Sequence, residues 1–497
     1  MRLFTLIRAR VYRGVGLQSL GPNEARILYD GIVGGIGAVA VLGFSSVYLH
    51  RLEFLTACRV IALPLLLIFF NFVLGIYSRL RTVSGRTKSL VLLASVSASG
   101  IVALLLGAAS SSVILWLLLV YPGLALPRLI LDLSFSRNTK LISIAVNDRG
   151  PTLIIGGAGY IGTHTVALLL QKGRAVRVLD RLMYGREALA EFIGNPDFEL
   201  IEGDVTDIAK LTEAMNGASA VVHLAGLVGD PACAVDDTFT RHTNIIATRM
   251  AKDVAQAMGV KRFVFASSCS VYGVSEREVS ETGALNPVSV YAQTKIDSEQ
   301  ELLAALRDEF YVTVLRFATV FGDSRRPRFD LVGNLFTAQA MTDGLITVLG
   351  PNQFRPFIHV RDLARAIGMV LDAEPVRMQN QVFNVGDKRL NMTIQQLAEE
   401  VRAVCSRYRP VTISVTENAQ DRRSYAVSFD KIQSVLGFQA MTLLQPGIEE
   451  MALAFRDGRY GHYRDHMYSN LAMTARALSQ FQDPTELSHL YAPLKAR

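Results

Sequence analysis

The chain has 497 residues and a formal net charge of +7, a length with room for two or three domains. Its basic residues form no nucleic-acid-type stripe and several flank long apolar runs, so a membrane is the expected partner and nucleic acid is not. The four cysteines are scattered without ligand spacing, so no metal site and no disulfide framework is predicted.

The first 135 residues hold the apolar excess of the chain. Residues 31–49 and 60–78 contain no charge, and residues 89–127 are uncharged over a length too great for one span. Because about 20 apolar residues cross a hydrocarbon core as a helix, the pattern predicts a transmembrane module at residues 1–140. Its four predicted helices lie at about 31–49, 60–78, 89–107 and 112–128. Buried helices of a soluble domain are the alternative.

The basic residues that flank these runs set the predicted orientation. They precede the first run, separate the second from the third and follow the fourth, whereas the other two connections are poor in them. Short cytoplasmic segments carry the excess of Lys and Arg. The sequence therefore predicts a multi-pass membrane protein, in a bacterial inner membrane, with its N-terminus and everything after residue 140 cytoplasmic.

A glycine-rich turn opens the second half of the chain. The predicted strand Thr152–Ile155 runs into the turn, and a helix-like segment, Thr163–Leu170, follows it. The first glycine of such a turn makes the bend, the second lets the backbone approach a pyrophosphate, and the third lets helix pack on strand. The predicted cofactor-binding residues here are Gly156, Gly159, Tyr160, Ile161 and Gly162.

An acidic residue ends the second predicted strand, about twenty residues beyond the turn. Asp180 follows Ala175–Leu179, where a carboxylate can accept both hydroxyls of a ribose. NAD is therefore the predicted cofactor. Arg181, the next residue, could tolerate a 2′-phosphate, so NADP stays open as the alternative.

Apolar runs alternate with helical patterns from residue 150 onward, which predicts an α/β fold with a Rossmann-type, doubly wound parallel sheet. The predicted strands are Thr152–Ile155, Ala175–Leu179, Phe198–Glu202, Ala220–Leu224, Arg262–Ala266 and Val312–Arg316. Asp204 and Val205 follow the third strand and are expected near the adenine. Ala225 and Gly226 follow the fourth and leave room for the cofactor. His223 is interpreted as a packed core residue.

A serine-rich strand end and a tyrosine–lysine pair carry the predicted chemistry. Tyr291 and Lys295 are four residues apart, so they share one face of a helix. The ammonium can lower the pKa of the phenol and reach a ribose hydroxyl, which is needed because a phenol near pKa 10 is a poor base. Ser268 can hold the substrate oxygen. A solvent-facing pair is the alternative for the two helical residues alone.

Residues 150 to about 455 resemble the extended short-chain dehydrogenases/reductases of the nucleotide-sugar epimerase/dehydratase family. The likeness includes the motifs HTNIIAT, RFATVFG, RPFIHV, FNVG and DRRSY. It implies catalytic residues Ser268, Tyr291 and Lys295, a cofactor contact by Asn244, and substrate contacts by Thr319, Asn334, Arg355 and Arg423. An apolar front before such a domain is also similar to membrane-bound polysaccharide-biosynthesis enzymes.

The resemblance also implies a division of the chain. An NAD-binding domain is expected at 150–320 and a smaller C-terminal substrate subdomain at 321–455, while 456–497 form an extension of unknown role. A homodimer is expected, with a nucleotide-diphosphate sugar, in the first place a UDP-sugar, as substrate.

Two departures from the family pattern bear on the reaction. Family dehydratases carry an Asp-Glu pair directly after the catalytic hydroxyl, whereas this chain has Cys269-Ser270, which argues against 4,6-dehydration. Many members have asparagine where this chain has Thr319, so one sugar-phosphate contact is expected to differ. The Arg325–Arg328 cluster is open between a solvated loop and a substrate clamp.

The leading hypothesis is an NAD-dependent epimerase that inverts a sugar carbon, C4 in the first place, through a transient keto-sugar, for polysaccharide or glycan precursor synthesis. A net nucleotide-sugar dehydrogenase, reductase or decarboxylase is the main alternative, and an epimerase of lipid-linked sugar diphosphates is another. A non-catalytic scaffold that binds NAD is disfavoured, because a binder has no need of an activated phenol.

Overall fold

The computed structural model describes residues 150–305, 310–417, 421 and 423–480, together with parts of the region from 30 to 124. In that region the described residues are 30, 33, 35–36, 38–40, 63–69, 71, 85–105, 113–122 and 124. Contacts divide the chain into two units, Met1–Ile142 and Ser143–Arg497.

The first unit contains helix α1 (Gly85–Leu105). The described side chains of this unit include a small apolar cluster around Trp116, Leu63 and Val96, and all three are buried. Asn71 donates a hydrogen bond to Asp30 at 3.0 Å between Nδ2 and Oδ2.

Of the four transmembrane helices predicted from the sequence, those at 31–49 and 60–78 fall largely outside the described residues. Helix α1 covers most of 89–107, and residues 113–122 and 124 of the span at 112–128 are described as helical. Within the described part of the chain, no helix combines the length and the apolar character that a membrane crossing requires. The described structure therefore does not support this prediction.

The second unit is built on a parallel seven-stranded sheet. All strands of the unit, in chain order, are β1 (Thr152–Ile155), β2 (Val176–Asp180), β3 (Phe198–Glu202), β4 (Ala220–His223), β5 (Arg262–Ser268), β6 (Tyr311–Phe317), β7 (Thr319–Phe321), β8 (Leu345–Leu349), β9 (Phe354–His359), β10 (Gln381–Val385), β11 (Asn391–Thr393) and β12 (Thr412–Thr416). The main sheet has the order β10-β6-β5-β4-β1-β2-β3. The six predicted strands and the Rossmann-type sheet are confirmed, with ends displaced by one or two residues; β10 was not predicted.

The second unit has helices on the main sheet and others on its two smaller sheets. They are α2 (Gly162–Gln171), α3 (Ile208–Met215), α4 (Asp230–Cys233), α5 (Asp237–Arg241), α6 (Ala247–Ala257), α7 (Val290–Leu303), α8 (Val332–Thr342), α9 (Val360–Asp372), α10 (Pro375–Met378), α11 (Ile394–Cys405), α12 (Asp430–Leu436), α13 (Leu444–Arg456) and α14 (Asn470–Gln480). Short 3₁₀ segments lie at Glu187–Phe192, Cys269–Tyr272, Lys388–Leu390 and His466–Tyr468, and a π-helical turn at His242–Ile246 leads into α6.

The central strands are apolar because both of their faces are covered. In β1 every residue is buried, and successive side chains point to opposite faces. Leu153 and Ile155 therefore join one core while Ile154 joins the other. Such strands show a continuous apolar run rather than alternation.

Two smaller sheets stand beside the main one. One has the order β11-β9-β7, and the other pairs β8 with β12 in parallel. A third core forms there around Phe321, Phe357 and Leu397. The chain returns from this region to the main sheet through α9, which packs against α2, and through β10, which pairs with β6. The division at residue 320 remains a prediction.

Candidate active site

A cavity of about 280 Å³ opens at the carboxyl ends of the main-sheet strands. Its wall contains residues that directly follow β1, β2, β3, β4 and β6, and it also contains the end of β5. Strand order reverses between β1 and β4. In open α/β sheets this reversal point is where the chain leaves a crevice for a ligand.

The glycine-rich turn forms one wall of the cavity and has no room for side chains. Gly156 has φ +88°, and a Cβ there would lie 2.6 Å from the backbone nitrogen of Ala225. At Gly162 a Cβ would lie 2.4 Å from the carbonyl oxygen of Gly156. At these two glycines the backbone comes close to the cavity next to the start of α2, as a pyrophosphate at a helix N-terminus requires. All five predicted residues of the turn line the cavity.

Asp180 lies at the end of β2 and lines the same cavity. Its Oδ2 accepts the backbone N–H of Ala158 at 2.9 Å, and its Oδ1 accepts that of Leu182 at 2.8 Å. Burial raises the pKa of this carboxyl group, while the two backbone hydrogen bonds lower it. The carboxylate is thus fixed against the glycine-rich turn, where an adenosine ribose would meet it.

Four further predicted cofactor residues line the cavity beyond Asp180, namely Asp204, Val205, Ala225 and Gly226. Asp204 also forms an ion pair with Arg181, with 3.4 Å between Oδ2 and Nη1. His223 does not line the cavity. It is buried against Phe265, bonded to the Thr248 hydroxyl at 3.0 Å, and burial lowers its pKa to about 3.

Ser268, Tyr291 and Lys295 converge on the opposite end of the cavity. Ser268 ends β5, while Tyr291 and Lys295 occupy the first two turns of α7, which begins at an N-cap formed by Ser289. The side chain of Tyr291 is buried and lines the cavity together with Ser268. The Lys295 ammonium lies 5.8 Å from the centroid of the Tyr291 ring and donates a 2.8 Å bond to the Ala266 carbonyl oxygen.

Burial is the largest influence on the pKa values of Tyr291 and Lys295. It raises the pKa of Tyr291, against a smaller lowering by the hydrogen bond to Ser268. It lowers the pKa of Lys295 to about 8. The pKa of Tyr291 is therefore raised by desolvation, opposite to the lowering that was predicted from Lys295. At neutral pH Lys295 still carries its proton.

The predicted substrate residues divide into two groups. Thr319 and Arg423 line the cavity, whereas Asn334 and Arg355 do not. Arg423 holds Asp421 through Nε at 2.9 Å and Nη2 at 2.6 Å, and its Nε lies 3.1 Å from Asp230 Oδ2. Burial opposes its charge, but the bond to Asp421 raises the pKa of Arg423 overall.

Arg355 and Asn334 brace residues that do reach the cavity. Arg355 donates to the carbonyl oxygen of Arg423 and pairs with Asp421 at 3.0 Å. Asn334 donates to the Tyr160 hydroxyl at 3.1 Å, and that hydroxyl donates to Gly322 at 2.7 Å. Both side chains therefore position the cavity wall from behind.

Asn244, in the π-helical turn before α6, also supports the cavity wall from behind, by bonding the loop that follows β4. A cofactor contact was predicted for it. Its Oδ1 accepts the N–H of Leu227 at 2.8 Å, and its Nδ2 donates to the Leu227 carbonyl at 3.0 Å and to Thr294 at 3.1 Å. Asn244 is buried and does not line the cavity. It joins the loop after β4 to the helix that carries Tyr291.

Several cavity residues have no counterpart among the predictions from sequence. They include Met183, Tyr184, Arg326, Arg328, Tyr425 and Asn470. In the sequence, the Arg325–Arg328 cluster was the signal that could have pointed to this part of the site. Two of its members, Arg326 and Arg328, line the cavity. Asn470 carries no such signal, because it belongs to a C-terminal segment that matches no motif.

Two carboxylates, Asp180 and Asp204, are among the described residues that line the cavity, and they lie at the ends of β2 and β3. A third, Asp230, is outside the lining and accepts the hydroxyl of Ser289 at 2.8 Å, at the start of the helix that carries Tyr291.

The two positions after Ser268 hold no carboxylate. Cys269 is buried, with its thiol bonded to the Arg316 carbonyl at 3.3 Å, and burial raises its pKa. The Ser270 hydroxyl bonds to that of Ser268 at 2.9 Å.

The fold and this cavity define a Rossmann-type dinucleotide enzyme with a serine, tyrosine and lysine at its reacting end. The model of the NAD dependent epimerase/dehydratase family matches residues 152–386. The UDP-glucose 4-epimerase of Bacillus subtilis is 32% identical over 268 residues, which cover 48% of this chain and 79% of that protein. The chain belongs to this family and is an NAD-dependent enzyme of the extended short-chain dehydrogenase/reductase type.

Other similar proteins include epimerases and enzymes named for a different reaction. The UDP-glucose 4-epimerase of Lactobacillus helveticus is 26% identical over 308 residues, covering 58% of this chain and 91% of that protein. The solved structure of MoeE5 with UDP-glucose and NAD is 30% identical, with a TM-score of 0.54, and the match covers 63% of this chain and all of MoeE5. Relatives also include dTDP-glucose 4,6-dehydratases.

Proposed function

We propose that the chain is a nucleotide-sugar epimerase acting at C4, with a UDP-sugar as substrate. The observation that carries the proposal is the reacting end of the cavity, where Ser268, Tyr291 and Lys295 meet and Cys269-Ser270 follow the catalytic serine in place of a carboxylate pair. Acid–base chemistry there falls to one phenol. A single proton carrier suffices for oxidation and reduction at one carbon, whereas dehydration needs further acid and base groups.

The chain's own residues supply the proton chemistry. Tyr291, as phenolate, would take the proton of the sugar hydroxyl, and Ser268 would hold the oxygen as it becomes a carbonyl. Lys295, protonated at neutral pH with a pKa of about 8, would stabilise the phenolate and hold a ribose hydroxyl. NAD, when bound, supplies the acceptor and later donor of the hydride, so no net redox change occurs. Return of the proton from Tyr291 to the inverted alcohol closes the cycle.

Two arginines of the cavity wall are suited to bind a diphosphate. Planar guanidinium groups bind phosphoryl oxygens in pairs, and Arg423 and Arg328 both line the cavity. Arg423 is held by Asp421 and Asp230, which fix its plane. MoeE5, of the same fold, is known with UDP-glucose and NAD, and this supports a nucleotide sugar here.

The test is NMR spectroscopy of a panel of UDP-sugars incubated with the full chain and NAD⁺. We expect one sugar to give its C4 epimer without accumulation of NADH. Tyr291→Phe should abolish the signal, whereas Tyr311→Phe, outside the cavity lining, should retain it. Accumulated NADH with an oxidised product would establish a dehydrogenase or decarboxylase instead. No conversion of any UDP-sugar would contradict the proposed substrate class and direct the search to lipid-linked sugar diphosphates.

Attachment to a membrane and dimerisation remain separate proposals. Uncharged runs at 31–49, 60–78 and 89–127 support the first, and the family resemblance supports the second. Carbonate-resistant sedimentation with membranes and light scattering of the detergent-purified protein test them independently. Recovery of the chain in the carbonate supernatant would contradict the first, and a monomer mass would contradict the second.

A further inference from the structure

The C-terminal extension reaches the cavity, although no motif assigned it a role. Asn470 begins α14, is buried and lines the cavity. Its Nδ2 donates to the Val228 carbonyl at 3.2 Å, and its backbone N–H donates to Asp330 at 3.2 Å. Two residues before the end of the helix, Leu478 packs against the apolar cluster that contains Tyr291. The extension is therefore joined to the loop after β4 and to the reacting end of the site.

Asn470 contacts Arg326, which also lines the cavity. Its Nη2 donates to Asn470 Oδ1 at 2.8 Å, and its guanidinium stacks 3.7 Å from the centroid of the Tyr184 ring. The side chain is 5% exposed. Among the described residues its buried Nε has no hydrogen-bond partner, and no carboxylate pairs with its guanidinium.

The neighbouring Arg328 shows the contrast. It donates to both oxygens of Asp330, at 3.0 and 2.8 Å. Asp330 is thereby bonded to Arg328 and acts on Arg326 only at longer range, so the direct partners of the Arg326 guanidinium are a neutral amide and an aromatic face. Burial accordingly lowers the pKa of Arg326 to about 10. A buried guanidinium without a counter-ion is costly, and an anionic group in the cavity removes that cost.

We propose that Asn470 is a positioning residue, which holds Arg326 in the cavity so that its guanidinium binds an oxyanion of the ligand. The inference rests on the proposed function only for the nucleotide sugar as one source of that oxyanion; the pyrophosphate of NAD is the other. The extension is then a wall of the binding site rather than an appendage.

The experiment measures binding rather than turnover. We compare full-length wild type with Asn470→Ala and Asn470→Asp. Leu471→Ala is the control, because Leu471 is an exposed residue of the same helix. NAD affinity is measured on protein stripped of cofactor, UDP and UDP-glucose affinity by calorimetry on NAD-loaded protein, and Tm by circular dichroism. Weaker NAD binding would assign the oxyanion to the dinucleotide, and weaker UDP binding would assign it to the nucleotide sugar.

We expect Asn470→Ala to weaken one of the two ligands about tenfold, as loss of a hydrogen bond to a charged group does. Asn470→Asp should weaken it further, because a carboxylate beside Arg326 takes the place of the oxyanion, while Tm stays at or above that of Asn470→Ala. If Asn470 had only a structural role, the variant with the lower Tm would also be the one with the weaker ligand affinity. Wild-type affinities for both ligands in both variants would overturn the proposal. Failure of epimerase activity in wild type, scored separately, would not affect this comparison.

Discussion

The guanidinium of Arg316 and the carboxylate of Glu299 form a buried ion pair beneath the reacting end of the cavity, with 2.7 Å between Nη2 and Oε2. Both side chains are at most 5% exposed. Glu299 also accepts the Ser267 hydroxyl, and Arg316 donates to the Tyr272 hydroxyl at 2.9 Å. The pair thus links β5, β6 and the helix that carries Tyr291.

Glu299→Gln is expected to destabilise the fold strongly. The substitution keeps the size of the side chain but leaves the Arg316 charge buried without a counter-ion, which costs about 3–5 kcal/mol. Glu202→Gln removes an exposed partner of Arg186, with both side chains more than half exposed, and should cost under about 1 kcal/mol. Thermal unfolding followed by circular dichroism measures both. Equal effects of the two substitutions would contradict the buried pair's role.

Lys295→Met is expected to raise stability at neutral pH while abolishing activity. The folded pKa of Lys295 is about 8, below its ordinary 10.5, so the unfolded chain binds the proton more tightly. Burial of the charge therefore costs on the order of 3 kcal/mol at pH 7. Removal of the ammonium should raise Tm at pH 7.

The pH dependence separates this explanation from better packing of methionine. Because the unfolded chain binds more protons between about pH 8 and 10.5, wild-type stability gains a contribution as pH rises through that window. The Tm advantage of Lys295→Met should therefore shrink from pH 7 toward pH 10. Lys172→Met, at an exposed site, serves as the control. An advantage that does not change with pH would argue against a buried charge.

The sheet and the glycine-rich turn were predictable because their signals are local. Each strand of the main sheet from β1 to β6 is rich in apolar residues, and Gly156 and Gly162 stand where any side chain would meet backbone. β10 lacked such a signal because it follows an excursion of about sixty residues, and only tertiary pairing with β6 makes it the seventh strand.

The site was predictable only where it is built on strand ends and on one helix. Arg326, Tyr184 and Asn470 come from three distant segments, and their meeting depends on the packing of the C-terminal extension. Whether an arginine turns to solvent or to the cavity is not encoded in its neighbours. The pKa of Tyr291 shows the same limit, since the amount of burial, unknown from the sequence, reversed the predicted direction.

NAD is expected to bind better than NADP. Asp180 is fixed by two backbone N–H groups at the end of β2, so a 2′-phosphate would face a carboxylate that cannot turn away. Arg181, the residue that could offset this, pairs with Asp204 instead. Like charges so placed cost several kcal/mol, and the NAD preference should be about a hundredfold. Asp180→Ser should reduce it by at least about tenfold, as measured by fluorescence titration with both reduced cofactors. A preference unchanged by that substitution would assign the selectivity to another residue.

Two glycines of the turn should fail in different ways. A Cβ at Gly162 would lie 2.4 Å from Gly156 O and 2.6 Å from Gly157 O, so Gly162→Ala must displace backbone and should lower the free energy of unfolding by about 1–3 kcal/mol. A Cβ at Gly159 meets Gly156 O at 3.3 Å and nothing nearer, so Gly159→Ala should leave Tm nearly unchanged. It should still weaken NAD binding by at least about tenfold, because the pyrophosphate must approach the backbone there. Tm and NAD titration of both variants separate the two roles, and a Gly159→Ala protein with wild-type NAD affinity would place the pyrophosphate elsewhere.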